Sequence, residues 1–188
     1  YSRDTVPKIP PRGVFGLKNK DRVGQNMHFD IITIFPKIFD SYLSESVLAR
    51  ARAKKFITIK IHNLRDFTRD KHKKVDDKLY GGGAGMVLMA EPILRAVDRI
   101  RNSESGIKGK KKTKIIVLSA KGKQFNQRLA YDWAKKYDRI IMVSGRYEGI
   151  DERVVKTLKA EEISIGLYVL TDGDIAAMVI ISSVVRLI

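Results

Sequence analysis

From Met27 onward the hydrophobic positions switch between two periods. Phe29-Asp30-Ile31-Ile32-Thr33-Ile34-Phe35 reads as a strand stopped by Pro36. Residues 37–52 predict a helix, and Phe56-Ile57-Thr58-Ile59-Lys60-Ile61 alternates apolar with polar as a second strand. A long polar loop over 63–78 leads to Tyr80-Gly81-Gly82-Gly83-Ala84-Gly85-Met86, and residues 91–101 predict a helix with Pro92 in its first turn. After a lysine-rich linker over 102–114 come a strand at 115–118, a helix at 125–136, a strand at 139–143 and a helix at 150–158. Short strands at 163–165 and 168–170 and a last helix from about Asp174 complete the series. Such alternation predicts an α/β fold with a mostly parallel sheet flanked by helices.

The two ends read differently. Residues 1–26 hold Pro7, Pro10, Pro11, Gly13, Gly16 and Gly24 without any period, and are expected to be a flexible, non-native or mis-assigned extension. Residues 27–188 are then the domain. The segment 176–188 is apolar nearly all round, with Arg186 its only charge, so it should be buried or packed on a partner. It carries no Gly cap, Pro or polar tail, and the chain is expected to continue beyond it.

Three glycine-bearing segments follow apolar runs: Leu118-Ser119-Ala120-Lys121-Gly122, Gly145-Arg146-Tyr147-Glu148-Gly149-Ile150-Asp151-Glu152-Arg153-Val154, and Ser164 to Gly173. Ligands in open α/β sheets bind beyond the carboxyl ends of strands, and glycine lets a backbone turn and approach them. One composite pocket, built largely from backbone groups, is the expectation. Glu148 could accept hydrogen bonds from a base edge or cap the helix that follows, whereas Asp151 and Glu152 suit that helix's N-terminus. Arg146 and Arg153 could meet phosphate.

The segment 65–77 mixes basic, acidic and aromatic residues. It could grip a nucleic acid through phosphate contacts and base stacking, or simply pair its own charges. The Gly81–Gly85 cluster lacks dinucleotide-fingerprint spacing, Gly122-Lys123 lacks the rest of a P-loop, and His28, His62 and His72 have no metal-ligand spacing.

Composition bears on partners more than on fold. The 188 residues suit one ordinary domain, or a domain plus part of another, and 37 Lys+Arg against 21 Asp+Glu give a formal charge of +16. An RNA or DNA backbone is the obvious counterpart, with a well-solvated basic surface weighed equally. With no cysteine, disulfides and Cys-ligated zinc are excluded, and a reducing cytoplasm is the expected setting. No apolar run approaches the ~20 residues that span a bilayer, and the N-terminus lacks the apolar core of a secretory leader.

Taken in order, Arg65-Asp66-Phe67-Thr68, Val75-Asp76-Asp77, Leu79 to Met86, Gly145 to Val154 and Ser164-Ile165-Gly166 with Tyr168-Val169-Leu170 closely resemble the bacterial tRNA (guanine-N1)-methyltransferases of the TrmD type. The likeness runs from Met27 to Ile188. It implies a SPOUT-class fold with a deep trefoil knot on the C-terminal side, where segments near 118–122, 145–149 and 164–173 thread together. It also implies a homodimer joined through the knot region and terminal helix, with no membrane association.

The implied cofactor is S-adenosylmethionine, bound bent in the knot. The implied substrate is tRNA, methylated at N1 of the guanosine on the 3′ side of the anticodon. The cofactor residues carried over are Leu118, Ser119, Gly122, Gly145, Tyr147, Glu148, Gly149, Ser164, Ile165, Gly166, Tyr168, Val169, Leu170 and Gly173. Arg186 matches the family's active-site arginine and Glu148 is the nominated carboxylate. The family's aspartate base and its small tRNA-gripping domain lie beyond Ile188, so this chain alone is expected to be inactive. Magnesium aids the family's catalysis, yet no metal cluster is visible in the sequence. Leu167, Asp172, Ala176 and Ile181 depart from the family pattern. The alternative is a non-catalytic RNA-binding relative with weakened cofactor affinity.

Overall fold

Five strands run parallel in one sheet, in the order β2-β1-β6-β5-β7. A computed structural model describes residues 26–78, 85–103 and 112–188. In chain order the elements are β1 (Met27–Thr33), α1 (Asp40–Leu43), α2 (Ser46–Ala53), β2 (Ile57–Asn63), β3 (Asp76–Lys78), β4 (Met86–Leu88) and α3 (Ala90–Asn102). Then follow β5 (Thr113–Gln124), α4 (Gln127–Lys136), β6 (Arg139–Val143), α5 (Glu152–Leu158), β7 (Glu161–Ser164) and α6 (Asp174–Val185). β3 and β4 form a separate antiparallel pair.

Apolar side chains fill both faces of the central strands. Phe29 and Ile31 of β1, Ile116 and Leu118 of β5, and Ile140 and Met142 of β6 pack beneath α4, α6 and the α1–α2 region. Their neighbours Ile32, Ile115, Val117, Ile141 and Val143 pack beneath α3 and α5. Strands covered on both faces read as continuous apolar runs, and β6 is such a run from Ile140 to Val143. Burying a large aliphatic side chain contributes about 1.5–3 kcal/mol, so this double layer is what holds the strand ends in place. Charged side chains enter it too: Asp30, 2% exposed, lies 3.1 Å from Nε of the equally buried Arg139 and 2.7 Å from His62 Nε2. A buried carboxylate needs such partners to persist as a charge.

Several expectations are corrected. The helix over 37–52 is broken into a 3-10 turn at Pro36–Phe39, α1 and α2. Ser44 Oγ donates to the carbonyls of Asp40 and Ser41, and Ser46 takes a left-handed φ of 53°. Serines offer the backbone such alternatives to a helix. The long loop over 63–78 is anchored by a 3-10 turn at Leu64–Phe67, with Leu64, Phe67 and Val75 buried, and ends in β3. The strand expected at 115–118 continues to Gln124, whereas no strand forms at 168–170. The extension 1–25, the glycines at 81–83 and the lysines at 108–111 lie outside the described residues.

Candidate functional site

The carboxyl ends of β5, β6 and β7 meet at a crossing of three backbones. Ile163 of β7 pairs with both Leu118 and Lys123, so residues 119–122 loop out of an otherwise continuous β5. Gly122 lets that excursion lie flat on β7, because a Cβ there would stand 2.5 Å from the Glu162 carbonyl carbon and the Ile163 nitrogen. Gly173 N–H donates to the Gly145 carbonyl at 2.8 Å. A Cβ on Gly173 would come within 2.9 Å of Gly145 N, 3.0 Å of Ser144 Oγ and 3.1 Å of Leu118 Cβ. The contact is possible only without side chains at these glycines.

Above the crossing opens a cleft of about 410 Å³, lined by residues 118–121, the turn after β6 and the loop between β7 and α6. That is within the usual size range for small-molecule sites. The turn after β6 is held from outside. Tyr147 and Gly149 take positive φ values of 60° and 128°. Glu148 N–H donates to the Met86 carbonyl at 3.1 Å, Leu88 N–H to Gly149 at 3.1 Å, and Asp151 N–H to Leu88 at 3.1 Å. The β3–β4 hairpin therefore clamps the turn, and Gly85 makes room for Glu148, whose Cγ would lie 2.5 Å from a Cβ there. Glu148 is exposed on the cleft wall, and Asp151, not Glu148, is the N-cap of α5, accepting from Arg153 N–H. Arg153 folds its guanidinium back onto Asp151, whose carboxyl this pairing holds below the usual range.

Charge is unevenly placed around the wall. On the β7 side, Lys121 bridges Glu152 at 3.1 Å and Glu162 at 3.6 Å, and the Glu152 contact chiefly raises its pKa. On the β1 side, Arg146 lies over the Phe35 ring at 4.5 Å and reaches Asp172 at 3.5 Å. Asp172 Oδ1 accepts from the Asp174 N–H and Oδ2 from Thr171 Oγ1, which fix this cleft-wall carboxylate at the start of α6. Behind it Asp174 is buried against the Thr33 and Ser144 hydroxyls. Burial pushes its carboxyl above the ordinary value.

Most of the expected cofactor residues converge here: Leu118, Ser119, Gly145, Tyr147, Glu148, Gly149, Ser164, Ile165, Tyr168, Val169, Leu170 and Gly173 line the cleft. Gly122 and Gly166 stand behind the wall; the Tyr168 ring covers the place a Gly166 side chain would take. Arg186 is exposed at the far end of α6. It follows the cleft residue Ala176 by ten positions, about 15 Å along a helix. Phe67, the aromatic of the segment that could have stacked on a base, is buried beneath Arg99. Its loop pairs its own charges, Lys73 with Asp66 and Lys74 with Asp77. Among the described residues no three His, Cys, Asp or Glu side chains are grouped to hold a metal. Sequence reasoning missed the Arg146–Asp172 pair and Asp174; the one signal was a run of acids opening an otherwise apolar helix.

The sequence model of the family described as "tRNA (Guanine-1)-methyltransferase TrmD" matches residues 27–188. A protein of Dictyoglomus turgidum named tRNA (guanine-N(1)-)-methyltransferase is 48% identical over 162 residues, covering 86% of this chain and 62% of its own length. Relatives of the same name from Carboxydothermus hydrogenoformans and Thermomicrobium roseum are each 49% identical, covering 86% of this chain and 60% and 58% of themselves. The chain thus spans about 60% of the length of these relatives. Because the match begins at β1, runs through α6 and takes in every segment of the cleft wall, the chain belongs to the TrmD family of tRNA (guanine-1)-methyltransferases.

Proposed function

We propose that the chain is the cofactor-binding part of a tRNA (guanine-N1)-methyltransferase and that its cleft takes S-adenosylmethionine. The observation that carries this is the backbone-walled cleft at the glycine crossing, inside the matched span. Leu118, Ile150 and Leu170 offer an apolar slot for an adenine ring, and the glycine-rich turns leave main-chain N–H and C=O groups to read its edge. The three touching backbones support a threaded, knotted crossing. When bound, the cofactor supplies a methyl made electrophilic by its sulfonium charge.

What remains for the chain is positioning. Glu148, clamped by β4 at the cleft wall, is placed to accept a hydrogen bond from the edge of a guanine and hold N1 toward the methyl. The N1 proton must leave, and a carboxylate base is worth about 10²–10⁴ in rate. By resemblance that base is an aspartate outside this chain, so the isolated chain binds the cofactor without appreciable turnover. Arg186 would stabilise charge developing on guanine O6. Its distance from the cleft along α6 favours delivery by a second copy. Exposed Ile175 and Val179 of α6, together with exposed Ile38 and Tyr42, supply apolar surface suited to that homodimer. The substrate is the guanosine on the 3′ side of a tRNA anticodon, met in the cytoplasm.

Calorimetry with S-adenosylmethionine should give saturable binding; none at millimolar ligand would refute the reading. Methyl transfer to unmodified tRNA should be far slower with this chain than with a full-length relative. Comparable rates would move the base onto a residue of this chain, Glu148 first. Light scattering should report a dimer at micromolar concentration, and a stable monomer would remove the role given to the apolar surface.

A further inference from the structure

One cation on the cleft wall is held in place and barely used. Arg146 is fixed by the Phe35 ring at 4.5 Å and makes a single long contact, Nη1 to Asp172 Oδ2 at 3.5 Å. Its other four N–H donors meet no hydrogen-bond acceptor among the described residues. Its side chain is 34% exposed and that of Asp172 10%, so the pair is less solvated than the Lys121–Glu152 pair across the cleft. The Asp172 carboxylate has about four acceptor sites, of which Asp174 N–H, Thr171 Oγ1 and Arg146 take three.

A guanidinium with free donors beside a carboxylate with a free acceptor site is complementary to a zwitterion. We infer that the Arg146–Asp172 pair binds the amino-acid end of the cofactor, Arg146 taking the α-carboxylate and Asp172 the α-ammonium. This rests on the cofactor reading above and goes beyond it in assigning the subsite. An RNA phosphate would suit Arg146 alone, but Asp172 beside it repels a second anion. The opposite end of the cleft is the poorer choice. Lys121 there is already bridged by two carboxylates, and its own side chain and that of Glu152 are mostly exposed, where ion pairs are worth little.

Two thioether ligands isolate the subsite, both neutral at sulfur. S-adenosylhomocysteine carries the amino-acid end, and methylthioadenosine is the same nucleoside without it. By calorimetry the unaltered chain should prefer S-adenosylhomocysteine. Asp172→Asn, which keeps an acceptor for the Asp174 N–H, and Arg146→Met should each weaken that ligand by about tenfold or more, the size expected for a charged hydrogen bond. Both variants should bind methylthioadenosine within about twofold of the unaltered chain, which also reports that they fold. Equal weakening of both ligands, or none of either, would overturn the assignment. If S-adenosylhomocysteine is untouched while tRNA affinity falls in Arg146→Met alone, the arginine is a phosphate contact and the subsite does not exist. If neither ligand binds the unaltered chain, the cofactor reading fails and takes this inference with it.

Discussion

Asp174 opens α6 with a carboxylate that is 1% exposed, and its Oδ1 meets no donor among the described residues. Desolvation is the main cause of its raised pKa, opposed by the Ser144 and Thr33 hydroxyls and assisted by nearby Asp172. The native chain therefore keeps this proton to higher pH than the unfolded chain does. Between the ordinary aspartate value and the raised one, the native state binds more protons, so stability falls as pH rises through that window. Asn at this position keeps the shape and cannot ionise. Asp174→Asn should raise the urea midpoint at neutral pH and lose that advantage in acid below the ordinary aspartate range. An equal gain at both pH values, or a loss at neutral pH, would show that the ionised carboxylate is favoured by its neighbours.

Among the elements, the crossing and the caps are where single changes tell most. Gly173→Ala places a methyl 2.9 Å from Gly145 N and must push the turn after β6 and the start of α6 apart. Overpacking of this kind costs about 1–3 kcal/mol, and cofactor affinity should fall with it. A variant with unchanged thermal midpoint and affinity would mean that the backbones separate freely. Asp151→Ala, removing the α5 cap, should cost about 1 kcal/mol at neutral pH. Arg153 holds the Asp151 pKa low, so that contribution is present above the ordinary aspartate value and disappears as pH falls through the lowered one. Equal destabilisation at both ends of the range would assign the cap another role.

Legibility in the sequence follows the same lines. β1, β6, α3, α4 and α6 were plain because a two-faced core demands long apolar runs or a 3.6-residue period. The β3–β4 hairpin was hidden, since Asp76-Asp77-Lys78 carries no apolar alternation and its pairing rests on the backbone. The far half of β5 is polar for a related reason: residues 119–122 leave the sheet beside the cleft. Glycines marked the three wall segments, but which of them face the cavity depends on packing between segments distant in sequence. Arg146 finds Phe35 and Asp172 only in three dimensions.

At the scale of the whole molecule, the net charge of +16 should make the proposed binding of tRNA steeply salt-dependent. Lys73 and Lys74 are tied to Asp66 and Asp77 only by exposed pairs, which a phosphate can replace. Charge reversal at Lys73, Lys74 and the exposed Lys112 should lower affinity and flatten the salt slope by about 0.9 for each phosphate left without its lysine. If affinity and slope stay as they were, the basic surface serves solubility. The strand order has a further consequence, for the time the chain takes to fold. β1 finds β6 only after about 110 residues of intervening chain, and the glycine crossing cannot close until α6 has been placed. Chains dominated by such distant pairings fold slowly, because loop-closure entropy is spent before any contact returns it. Trp133, the single tryptophan, packs in the layer shared by α4 and α6, so its fluorescence reports that final closure. On dilution from urea, binding of the proposed cofactor should recover with the tryptophan signal and not with the earlier return of helical circular dichroism, leaving a newly made chain blind to that ligand until α6 has docked.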